Sequence, residues 1–199
     1  MKIFHTSDQH FDHTNVIKYT GRNFLNADEM NAAYIVAWNR LVGADDIVYH
    51  LGDLTLKNTA HQYIRELNGK ILILGNPWHH DGRWLEHYMK HPDLYISASG
   101  HPLTVLPPLV VAEYPDKGCG KYPLVVNMCH YPLHTWDRKH YGAWHLHGHS
   151  HGNAPLNMTD PNGAPEYVID VGVDVWAGEP VELTRIRDIF YDERAQNLV

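Results

Sequence analysis

The chain reads as an α/β protein with one domain over residues 1–199. Three observations carry this reading. Short apolar runs at 2–6, 47–51 and 70–74 alternate with helical apolar stripes at 26–43 and 58–67, which is the order of βαβ units. The run Lys70-Ile71-Leu72-Ile73-Leu74 is nearly continuous in apolar residues, as a strand buried on both faces of a parallel sheet must be. Each run ends in polar residues, at the strand ends where open α/β sheets place their ligands.

Taken in order, residues 2–6 form a first strand ending at Ser7-Asp8-Gln9-His10, with His13 near the same mouth. Asn26 caps a helix, with Glu29 reaching back. Met30, Ala33, Tyr34, Ala37, Trp38 and Leu41 recur at helical spacing as its core stripe, and Gly43 ends it. Ile47–Leu51 is a second strand ending at Gly52-Asp53. Residues 58–67 form a helix capped by Asn58 or Thr59, and the strand 70–74 ends at Gly75-Asn76. Residues 109–113 and 122–127 read as two strands joined by a turn, the second running on to His130. In 143–147, Ala143, His145 and His147 share one face and Trp144 and Leu146 the other. A strand at 167–171 and a terminal helix at 184–195 complete the chain.

Histidine is the compositional outlier, with 17 residues against 16 Lys and Arg together. The net charge of −7 argues against a broad grip on duplex nucleic acid. Bound divalent cations would still make a site locally positive and admit an anionic substrate. Cys119 and Cys129 are too few for a disulfide framework. No apolar run has membrane-spanning length, and Met1–His5 carries no signal-peptide pattern. A cytoplasmic protein with reduced thiols and no membrane partner is expected.

The strand tips deliver Asp8, His10, Asp53, Asn76, His130, His149 and His151. His149 and His151 are two apart after Gly148, as are Asp8 and His10; in an extended segment such residues point the same way. Seven N/O side chains supply two four-ligand sites if one carboxylate bridges. Without thiolates, the set suits two divalent transition-metal ions, manganese foremost, with iron, zinc or nickel also fitting. Such pairs, about 3.5–4 Å apart, are the usual device for hydrolysis at phosphorus. A closed structural zinc site fits poorly, since those are mostly thiolate-rich.

Asp8-x-His10, Gly52-Asp53, Gly75-Asn76, His130 and Gly148-His149-x-His151, in that order, resemble the calcineurin-like metallophosphoesterase family. Val171–Trp176 is similar to the closing strand of its small bacterial and phage-type members. The resemblance implies a four-layer α/β/β/α sandwich with a dimetal centre at the strand C-terminal ends. It implies Asp8, His10 and His151 on one ion, Asn76, His130 and His149 on the other, and Asp53 bridging. It further implies hydrolysis of a phosphodiester, in preference to a phosphomonoester, by attack of metal-bound hydroxide.

The chain departs from the family's Gly-Asn-His-Asp/Glu block. Here Gly75-Asn76 is followed by Pro77-Trp78-His79-His80-Asp81. With a three-residue insertion, His80-Asp81 restores the pair, Asp81 orienting the His80 imidazole; His79 is the fallback catalytic residue. Trp78 and Tyr131, with His13, are candidate substrate contacts, and stacking by Trp78 on a base favours a small phosphoester or nucleotide-type substrate. His50, His134 and His145 read as structural. The competing function class is a scaffold that keeps the fold and its ligands but has weakened catalysis and binds a partner or ligand.

Overall fold

The computed structural model describes residues 1–117, 123–154 and 167–191. In chain order its elements are β1 (Ile3–Thr6), α1 (Thr14–Thr20), α2 (Ala27–Leu41), β2 (Ile47–His50), α3 (Ala60–Ile64), β3 (Lys70–Leu74) and α4 (Gly82–Lys90). They are followed by β4 (Thr104–Leu106), β5 (Leu109–Lys117), β6 (Pro123–Cys129), β7 (Trp144–His147), β8 (Val168–Asp170), β9 (Val181–Glu182) and α5 (Leu183–Tyr191). One sheet runs β4-β3-β2-β1-β9 and the other β5-β6-β7-β8. Pairing is parallel except at β1/β9 and β5/β6, so the chain is an α/β protein with mixed, mostly parallel sheets.

Register decides which side chains meet. Phe4 pairs with Val48 and Val48 with Ile71. This face of the first sheet joins Val16, Met30, Trp38, Ile64 and Trp84 from the helices in one apolar cluster. Ile3 and Tyr49, on the opposite face, pack with Val126, Met128, Trp144 and Leu146 of the second sheet. The alternation within 143–147 is as expected: Trp144 and Leu146 enter the cluster between the sheets, while His145 lies against Trp136 on the other side. Trp136, Val125, Ala143 and Val168 form a small separate cluster there.

Several boundaries differ from the sequence reading. The second helix ends at Leu41, and Val42 rather than Gly43 caps it in an extended conformation. Gly43 instead donates to Asp46 in the following turn. Asn26 does accept from Glu29 N–H, but Glu29 reaches back to Leu25 rather than to Asn26. The helix expected over 58–67 is regular only over Ala60–Ile64, and Thr59 uses its hydroxyl on Asp12 instead of capping. Residues 171–176 do not extend the strand. Asp170 accepts from Gly172 N–H and turns the chain, and the sheet edge is closed by β9 instead. The terminal helix is described only to Tyr191; Cys119 and residues 192–195 lie outside the described residues. No helix among the described residues is long and apolar enough to cross a membrane.

Candidate metal centre

The segments after β1 and β2 travel side by side. Asp8 N–H donates to Gly52 O at 3.1 Å and His10 N–H to Asp53 O at 3.0 Å. The second sheet is tied to them through its own tips: Gly148 N–H donates to His130 O at 3.0 Å, and His149 N–H reaches the Asp8 carboxylate. Close approach needs glycine at Gly148, where a Cβ would fall 2.2 Å from Ser7 Oγ and 2.3 Å from Asp8 Oδ2.

The pointing of these side chains is not that of extended chain. Asp8, His10, Asp53, His149 and His151 all have positive φ, between 48° and 66°. Left-handed backbone at non-glycine residues is unfavourable and concentrates at sites whose surroundings enforce it. Asp8 and His10 meet in one group and His149 and His151 both line the cleft, but through these turns rather than through the extended backbone expected.

Asp53 is the centre of the cluster. Its Oδ2 lies 3.4 Å from His10 Nε2, 3.4 Å from His130 Nε2, 3.7 Å from His79 Nε2 and 3.0 Å from His80 Nδ1. None of these four nitrogens meets hydrogen-bond geometry with any partner, and Asp53 Oδ1 is also unpartnered. Buried polar atoms are normally satisfied. A nitrogen that stands 3.0–3.7 Å from a carboxylate oxygen without aiming at it has the spacing of two ligands of a common ion, given metal–ligand bonds of about 2.0–2.2 Å. Within 4.8 Å of one another lie ligand atoms of Asp8, His10 and His151, of Asp53, His79, His130 and His149, and of His10, Asp53 and His80. The donor set therefore fits a pair of cations. Asp53 belongs to two of the three groups, and His10 links it to the group of Asp8 and His151.

Charge is adjusted to match. Burial pushes the Asp8 carboxyl up to about 6 and His10 well below the usual imidazole value. Burial also opposes ionisation of Asp53, but the surrounding imidazoles, His130 foremost, outweigh it and hold the carboxyl well below the usual range. Burial opposes the charged forms of His130 and His151, but the Asp53 and Asp174 carboxylates outweigh it and raise both, so cation binding there would release protons.

His151 is oriented from behind. Its Nδ1 lies 2.6 Å from Asp174 Oδ2, which leaves Nε2 for the cleft. Asp174 is gripped by Arg22 through two bonds of 2.7 Å, and Arg22 also donates to the Asp8 carbonyl at 2.7 Å. Burial raises the Asp174 carboxyl, yet the Arg22 and His151 bonds more than offset it, leaving about 2. Sequence reasoning missed Arg22 and Asp174. The only signal was Asp174 inside the segment read as a closing strand.

Residues 77–81 fold as a turn at the lip. His79 and His80 both enter the cleft, their rings 4.0 Å apart. Asp81 does not orient His80. It is buried beneath, accepting from Asp53 N–H, Leu54 N–H and Trp84 Nε1, so it fixes the Asp53 backbone instead; burial pushes its pKa up to about 6. His80 takes its carboxylate neighbour from Asp53. Asn76 donates to the Tyr131 hydroxyl at 3.0 Å and accepts from Trp78 N–H at 3.3 Å. Tyr131 packs on His149 at 4.8 Å and His13 near His10 at 5.4 Å. The cleft encloses about 290 Å³, with His10, His13, Asp53, His79, His80 and His151 among its walls. Trp78 is 93% exposed and is not among them. His50 and His145 are structural as expected: His50 accepts from Gly52 N–H and meets Gln9, and His145 accepts from Leu133 N–H and meets Asn127 O.

No family model matches the chain. An uncharacterized protein of Methanocaldococcus jannaschii, MJ1445, is 47% identical over 77 residues, which are 37% of this chain and 44% of that relative; the match spans less than half of its length. The gene 66 protein of Mycobacterium phage L5 is 30% identical over 200 aligned positions, covering 92% of this chain and 91% of its own. The crystal structure of AQ665, a protein of unknown function from Aquifex aeolicus, superposes with a TM-score of 0.61 at 16% identity. That likeness covers 94% of this chain and 98% of AQ665, and it shows a shared fold.

Proposed function

The chain belongs to the family of the gene 66 protein of Mycobacterium phage L5, and we propose that it is a dimetal phosphoesterase whose His/Asp cleft hydrolyses a small phosphodiester. The observation that carries this is the convergence of unpartnered nitrogens on Asp53 Oδ2 beside a second group built on Asp8. Asp8, His10 and His151 would hold one divalent ion and His130 and His149 the other, with the Asp53 carboxylate within reach of both groups. Manganese is the ion expected where carboxylate and carboxamide oxygens take part; iron, zinc and nickel suit the imidazoles of the same donor set. When bound, such a pair polarises phosphoryl oxygens and brings the pKa of a water into the neutral range.

The chain's own groups supply the rest. Arg22 and Asp174 fix the His151 ring with Nδ1 occupied. Asp53 lies at His80 Nδ1, so His80 presents Nε2, which we assign to the leaving-group oxygen as proton donor. His13 and Tyr131 flank the opening. The arrangement of helices on the first sheet and of the sheets on each other supports reading the fold as the four-layer sandwich of calcineurin-like metallophosphoesterases. In that reading the outermost layer, over the second sheet, is reduced to the segment carrying Trp136.

The test is hydrolysis of bis-p-nitrophenyl phosphate and p-nitrophenyl phosphate by the full chain with added Mn²⁺. Turnover of the diester exceeding that of the monoester, abolished by a chelator and by Asp53→Ala, is expected. Absence of turnover of any phosphoester with metal bound would favour a binding scaffold instead.

A further inference from the structure

We propose that His79 is itself a metal ligand in this chain, taking the place in the second site that the family pattern gives to Asn76. The inference rests on the dimetal reading above.

Three observations carry it. His79, Asp53, His130 and His149 each offer an atom within 4.8 Å of all the others. That is a complete four-ligand set, the coordination number common for transition metals held by imidazole and carboxylate. Next, His79 Nε2 is buried without a hydrogen-bond partner, 3.7 Å from Asp53 Oδ2. Finally, Asn76 is engaged elsewhere. Its oxygen accepts from Trp78 N–H and its NH₂ donates to Tyr131. The Trp78 N–H needs an acceptor, which sets the amide orientation. Asn76 thereby anchors the inserted turn and, through Tyr131, the ring stacked on His79 at 5.9 Å.

His80 is the internal contrast. At 3.0 Å it is closer to Asp53 than His79 is, but it groups only with His10 and Asp53, outside the four-residue set that His79 completes. The turn thus presents two adjacent imidazoles with different tasks: His79 completes a site, and His80 packs against His10 and His13. A second site of three imidazoles and one carboxylate is softer than one using a carboxamide oxygen, so it should prefer zinc or nickel over manganese.

The test is calorimetric titration of metal-free full-length protein with Mn²⁺ and with Zn²⁺, with ions per chain counted by elemental analysis. Wild type is expected to bind two ions. His79→Ala should weaken one site by more than the ~10–100-fold that losing a residue behind a ligand typically costs, and leave the other intact. Asn76→Ala should cost no more than about tenfold at either site, the low end of that outer-shell range. Binding by His79→Gly should be restored with millimolar imidazole, which separates a missing ligand from a damaged fold. Two undiminished sites in His79→Ala, with one lost in Asn76→Ala, would overturn the His79 assignment while the dimetal reading stands. Fewer than two ions in wild type would overturn both.

Discussion

His61, His87 and His91 form a second run of imidazoles beside α3 and α4, with ring centroids 5.1 and 4.9 Å apart. The cleft histidines are packed at much the same distances, 5.1 Å for His10 and His80 and 5.2 Å for His130 and His149. Ring spacing does not separate the two groups; what lies at the centre does. In the cleft, four histidines surround one carboxylate oxygen of Asp53. In the other group His87 Nδ1 meets the Tyr95 hydroxyl at 3.0 Å, and no ion pair among the described residues joins the three rings to a carboxylate. Stacked histidines are ordinary packing. Histidines gathered on a buried anion are poised for a cation, because the anion is costly to bury unless it is paired.

Exchanging the centres breaks the comparison most severely. Asp53→Ala should abolish metal binding at both sites and all turnover, whereas His87→Ala should leave metal content unchanged; elemental analysis of both variants decides it. Next in size is His80→Ala. Loss of general-acid assistance should cut turnover of a nucleoside ester by ~10²–10⁴-fold. A nitrophenyl ester, whose leaving group departs without a proton, should suffer less, and metal content should hold.

Asp174→Asn should act only through His151. It should weaken the ion held with Asp8 and His10 by ~10–100-fold and leave the other ion alone. Correspondingly, His149→Ala and His151→Ala should lose different ions, which anomalous scattering from the two variants distinguishes.

The smallest effect is on stability, at a histidine outside the cleft. His5 is fully buried, stacked on Tyr49, and burial holds its pKa down at about 3. Folded His5 stays neutral while the unfolded chain takes up a proton near pH 6.5, so the unfolded state binds more protons below that pH. Stability should be full above pH 6.5 and fall as the pH drops toward 3, by up to ~1.4 kcal/mol per pH unit for this one group. His5→Phe should flatten the pH dependence of the urea midpoint over that window. His50 and His145, held by burial at about 3 and about 4, should keep the slope from vanishing.

The strands that carry the site were legible because apolar runs give way abruptly to Ser7-Asp8, Gly52-Asp53 and Gly75-Asn76. The helical stripe of Met30, Tyr34 and Trp38 was equally plain, and all three side chains are buried. What escaped depends on distant partners. Arg22 and Asp174 are 152 residues apart and meet only once both sheets are assembled. The left-handed backbone at the ligands is enforced by contacts such as Asp8 N–H to Gly52 O, which side-chain alternation does not encode. Asp81 looked like the partner of its neighbour His80. Burial under Asp53 reverses its direction, because Trp84 Nε1 and two backbone N–H groups need an acceptor there. The short α1 and α4 were missed because each presents few apolar residues to the core, Val16 and Ile17 in one and Trp84 in the other.

Anomalous diffraction from crystals grown with Mn²⁺ tests the dimetal centre most directly. Two peaks about 3.5–4 Å apart are expected, one against Asp8, His10 and His151 and one against His79, His130 and His149, with Asp53 touching both. A single peak, or two peaks that do not share Asp53, would contradict it.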